Sequence, residues 1–202
     1  MKALAPKHKG GEVEEFQAAG QAVLLLEREL SAVKGEQYAV PLAFPVTWDI
    51  GAPLPHLLKS DYQCFVIFYV AASDPQWDGR TAKVVDPANA APVPLALVEF
   101  ERCMSAKMGS PNDEVFHGHP LYKKGQEAYT AQEVVNSKWL AELEAINSVH
   151  SGYSPALWRD LHHYVFWFHD STFECIAKSF EVELSNVSFG ALLDRAIRKF
   201  LD

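Results

Sequence analysis

The stretch HHYVFWFHDSTFECIAKSFEVEL, from His162 to Leu184, decides the fold. Two runs rich in aromatic and β-branched residues flank a polar quartet, His169-Asp170-Ser171-Thr172. Asp and Ser side chains bond the amides of such a turn, so the stretch reads as a β-hairpin. Pairing Phe168 with Phe173 sets the register and puts Tyr164, Phe166, Phe168, Phe173, Cys175 and Ala177 on one aromatic face. His163, Val165, Trp167, Glu174 and Ile176 fall on the other, with Glu174 facing Trp167 across the strands. A carboxylate there must be paired, solvated or functional.

Working outward, Cys64 to Val70 is continuously apolar and reads as a central strand buried on both faces. Leu95 to Arg102 alternates as a further strand, and Ala82–Val85 reads as a short one inside a proline-rich loop. Tyr38 to Trp48 is β-rich but carries Pro41 and Pro45, which fits an edge or bulged strand. Glu12 to Val33 reads as a helix with Val13, Phe16, Gly20, Val23, Leu24, Leu26, Leu30 and Val33 near one stripe, closed by Gly35. Ser137 caps a mid-chain helix ending near Asn147, and Ser154-Pro155 opens a short one. Ser188 caps a closing amphipathic helix from Phe189 to Leu201. Strands joined by hairpins and loops, with helices gathered at the ends, define an α+β fold with a mainly antiparallel sheet. The domain organisation expected is a flexible tail over residues 1–10 and a single domain over 11–202.

Of the 202 residues, 26 are acidic and 18 basic, a net charge of −8, so a nucleic-acid partner is not expected. No apolar run reaches the ~20 residues of a membrane helix, and a signal peptide is not expected, because Lys7–Gly11 and Glu12–Glu15 interrupt any hydrophobic stretch where one would sit. Three cysteines, Cys64, Cys103 and Cys175, lie far apart without a C-x-x-C, which disfavours a disulfide framework and a zinc ribbon and implies a reducing cytoplasm. On the aromatic hairpin face Cys175 reads as inert packing.

Six of the eight histidines lie between His117 and His169, and they set the candidate chemistry. In Asn112-Asp113-Glu114-Val115-Phe116-His117-Gly118-His119-Pro120, an extended backbone would aim His117 and His119 to one side. Joined by His169, they are candidate ligands for a divalent metal ion, with Glu114, Asp113 and Asp170 as acidic partners. His169 is equally a candidate general base oriented by Asp170, and Glu174 a candidate acid/base group. The same residues also serve as turn and capping chemistry, and both readings stay open. His162 and His163 open a strand after a helix end, where one could answer the helix's last carbonyls.

The segments Asn112-Asp113-Glu114…His117-Gly118-His119-Pro120-Leu121-Tyr122 and Phe168-His169-Asp170-Ser171-Thr172-Phe173-Glu174 resemble a family of uncharacterised bacterial proteins over residues 95–180. That resemblance implies a bacterial cytoplasmic origin and assigns no role to any residue. The leading expectation is a protein that binds a small molecule or metal, with enzyme activity left open, through a pocket lined by His117, His119, His169 and Glu174. The competing expectation is a non-catalytic interaction protein of the antagonist or immunity type, its acidic charge suited to a basic partner. A homodimer with strand 38–48 near its interface is the third.

Overall fold

A computed structural model describes residues 10–61, 63–72 and 85–201. The expected tail over 1–10 lies outside these residues except for Gly10, as does most of the expected strand at 82–85. In chain order the elements begin with α1 (Gly10–Val33), β1 (Tyr38–Pro41), β2 (His56–Lys59), β3 (Cys64–Tyr69), β4 (Val93–Glu101) and β5 (Ser105–Gly109). A 3-10 segment (Asp113–Gly118) precedes β6 (Ala131–Val135), α2 (Lys138–Asn147) and α3 (Pro155–Arg159). The chain ends with β7 (His162–Trp167), β8 (Thr172–Ala177), β9 (Ser179–Val187) and α4 (Phe189–Arg198).

The fold is α+β, with two antiparallel sheets ordered β1-β6-β7-β8-β5 and β2-β3-β4-β9. They stack face to face over the aromatic surface read from the hairpin. Tyr164, Phe166, Phe168, Phe173, Cys175 and Ala177 meet Cys64, Val66 and Phe68 of β3 and Ala96, Val98 and Phe100 of β4. Each buried phenylalanine contributes about 1.5–3 kcal/mol to this core. The opposite face of β3 and β4 is covered by α4 through Phe189, Leu192 and Ala196. That is why all six residues of β3 are buried, as its unbroken apolar run implied. On the outer face of the five-stranded sheet, α2 and α3 cover Ile176, while Phe116 and Leu121 cover Val165 and Trp167.

Around the hairpin, two features depart from the sequence reading. The run after Phe173 is not one strand: it breaks at Lys178 and enters the second sheet as β9. The partner ribbon crosses at the same place, β4 pairing with β9 and β5 with β8, with residues 102–104 opposite 177–178. One extra residue there makes a bulged corner, with Arg102 at φ 49°. The hairpin register also differs by two residues. Phe166, not Phe168, lies opposite Phe173, and Glu174 lies opposite Val165. An even shift keeps every side chain on its expected face.

Helix α1 is attached through its polar side. Gln21 donates to Glu127, Arg28 donates to the carbonyls of Ala39 and Gly125, and Glu27 accepts from Gly125 N–H. Apart from the half-buried Leu24, its apolar stripe faces outward, with Phe16 80% and Val33 88% exposed. Among the described residues no helix is long and apolar enough to cross a membrane.

Candidate functional site

Glu174 sits mid-strand in β8 on the outer face of the five-stranded sheet, 7% exposed. Three cationic or imidazole groups reach it from three directions. Lys107 stands directly opposite on β5, its Nζ 2.8 Å from Oε1. His163 comes from the other neighbour, β7, with Nε2 2.9 Å from Oε2. His119 descends from the loop after the 3-10 segment, with Nε2 3.9 Å from Oε1. Burial opposes charge on Glu174, yet the facing His119, His163 and Lys107 outweigh it and hold its carboxyl well below the usual carboxylate range.

The tautomers follow from the network. Leu121 N–H donates to His119 Nδ1 at 3.2 Å, so the neutral ring carries its hydrogen on Nε2, towards the carboxylate. His163 gives Nε2–H to Glu174, and its Nδ1 lies 2.8 Å from Ser137 Oγ. Ser137 also accepts Leu140 N–H as the cap of α2. Its hydroxyl hydrogen is therefore the one offered to His163. The order hydroxyl, imidazole, carboxylate is that of a nucleophile relay. Here, however, the oxygen is turned into the first turn of α2 and lies outside the pocket above Glu174. The relay fixes His163 and, through it, Glu174.

Above the carboxylate opens a pocket of about 780 Å³. Lys107, Lys138 and Lys124 bring positive charge to it, Glu142 negative charge, and Trp139 and Leu121 apolar surface. Trp139 stands edge-on to His163 with ring centres 5.1 Å apart, and Lys107 Nζ lies 4.6 Å over the Trp139 ring. His119 is braced by the edge of Trp167, whose Nε1–H is bound by Gln132.

The expected site residues divide. His119 and Glu174 come together. His117 does not join them, because residues 113–118 form a 3-10 turn and not an extended chain. Residues i and i+2 then diverge instead of sharing a side, leaving His117 exposed beside Tyr122. His169 bonds Asp113 at 2.7 Å, and Asp113 also accepts from Tyr129. That hydrogen bond to Asp113 raises the His169 pKa, while those from Tyr129 and His169 lower that of Asp113. The expected orienting partner, Asp170, instead lines a separate cleft with Pro55 and His56. Among the described residues no three His, Cys, Asp or Glu side chains are grouped so that they could hold a metal ion. The ligand set His117, His119 and His169 is thus not assembled.

Lys107 was not read from the sequence, and His163 was read as a residue of the Glu174 face and a helix-end partner but not as a ligand of Glu174. His163 lies two residues from Val165, the residue opposite Glu174, and so on the same face diagonally across. The register with Glu174 opposite Trp167 hides that diagonal. His163 and His162 do not answer helix carbonyls: His162 pairs with Glu133 at 2.7 Å. Cys175 is packed in the core, where burial pushes its thiol well above the ordinary value. No family model, curated protein or solved structure matches the chain.

Proposed function

We propose that the chain is a small-molecule-binding protein whose ligand sits over Glu174 and presents a hydrogen-bond donor, such as an amine or a hydroxyl, to that carboxylate. One observation carries this reading: an ionised carboxylate is held in place at the base of an open pocket by a partner, His163, that is itself locked by Ser137. Burying such a charge is costly, and apolar residues of similar volume would pack a sheet face at least as well. The Lys107 ammonium, on a side chain 57% exposed, is the partner of Glu174 that an entering donor can displace. Trp139 and Leu121 offer a wall for a planar or apolar body, and Lys138 and Lys124 suit an anionic group on the same ligand. His119, with Nε2–H at the pocket floor, is placed to donate a hydrogen bond to a bound molecule.

The test is a thermal-shift screen of small polar compounds against the wild-type protein and Glu174→Gln. The expected result is a class of amine- or hydroxyl-bearing compounds that stabilises the wild type and leaves the variant unmoved. Equal stabilisation of both proteins, or none of either, overturns the reading.

A further inference from the structure

We infer that α1 is a dimerisation helix, pairing with α1 of a second copy of this chain as a parallel two-stranded coiled coil. The helix is amphipathic in the reverse of the usual sense. Its docked side is Gln21, Leu24, Arg28 and Ser31, which bond or pack against the base of the molecule. On the outward side, Phe16, Ala19, Val23, Leu26, Leu30 and Val33 recur at alternating steps of three and four, the spacing of heptad positions a and d. All six are exposed, Leu26 by 63%, and nothing among the described residues covers them. At 100° per residue the two stripes lie about 150° apart, so the seam is directed away from the body that carries it. Two copies can therefore meet along the roughly 27 Å from Phe16 to Val33 with their sheets on the outside.

Charge selects both partner and direction. Flanking the seam, Glu29 occupies position g and Lys34 the e position five residues on, the spacing at which parallel strands exchange an ion pair. A parallel pair thus sets Glu29 against Lys34 of the partner subunit twice, once on each side. An antiparallel pair over the same layers would set Glu15 against a second Glu29 at both ends. This contact uses α1, not the edge strand β1.

Sedimentation velocity on the full chain from about 1 to 100 µM tests it, the range in which a short seam dissociates. The wild type is expected to show a reversible dimer. Leu26→Glu, which places a charge in the central layer, is expected to raise the dissociation constant at least about tenfold. Because Leu26 is 63% exposed on the outward side of α1, circular dichroism and unfolding temperature of the dilute monomer stay as in the wild type. Glu29→Lys and Lys34→Glu each weaken the dimer, and the two together restore it. A monomer throughout, or a dimer indifferent to Leu26→Glu, overturns the proposal. Loss of the dimer without rescue by the charge exchange overturns the parallel pairing.

Discussion

Glu174 is a buried carboxylate on a sheet face that it shares with Lys107 and His163, and its protonation should be visible in stability. Its carboxyl is held below the usual range in the folded chain, whereas the unfolded chain titrates near pH 4.3. A group lowered on folding adds stability above the unfolded pKa and loses it as pH falls through the folded one. Acid unfolding should therefore steepen below about pH 4 in the wild type. Glu174→Gln, which cannot titrate, should flatten that limb of the stability curve measured by urea titration. The Asp113–His169 pair behaves differently because its two shifts are opposed. The raised His169 contributes below about pH 6.5 and loses its contribution as pH rises through its folded pKa. The lowered Asp113 contributes above about pH 4 and loses its contribution as pH falls through its own folded pKa. The pair ties the 3-10 segment to the hairpin turn most firmly between those values. Asp113→Asn should remove the difference in hydrogen-exchange protection of that segment between pH 5.5 and 8.

Single elements show where the sequence was readable. The hairpin, the caps at Ser137 and Ser188 and the buried strand β3 are local patterns, and local rules found them. The crossing at Lys178 and the strands β2 and β5 depend on what lies opposite them, which no local pattern records. Glu174 could be flagged because a carboxylate interrupts an aromatic hairpin. Lys107 could not, because its relevance arises only from pairing β5 with β8. The His117–His119 expectation failed on backbone form: a 3-10 turn sends the two rings apart. Gly125 is a second long-range dependency. It has φ +78°, and a Cβ there would lie 2.5 Å from both Ala39 O and the Arg28 side chain. Its carbonyl also accepts Arg28 and Gln132, so one residue joins α1 to β1 and β6. Gly125→Ala should cost about 2 kcal/mol or more in chemical denaturation, since strain and a steric clash add. Gly20→Ala, with open space around it, should be neutral or slightly stabilising in the same measurement.

At the scale of the whole molecule the layers explain why the site lies where it does. The aromatic face of the hairpin is spent on the sheet-to-sheet core, and α4 closes the far side of the second sheet. The outer face of the five-stranded sheet is covered only in patches, by α2 and α3 at one side and by the loop around Leu121 at the other. The pocket is the gap between those patches, and Glu174 is the charged residue beneath it. Dimerisation through α1 would leave that gap open, because the seam faces away from the sheets. The most direct measurement is an imidazole-region NMR titration of the histidine-labelled protein with the best stabilising compound from the screen. The account predicts that the His119 and His163 resonances shift together with a common affinity. It also predicts that His56, His150 and His169, none of which lines the pocket, stay in place. Movement of His169 without His119 and His163, or binding that shifts neither pocket histidine, would contradict it.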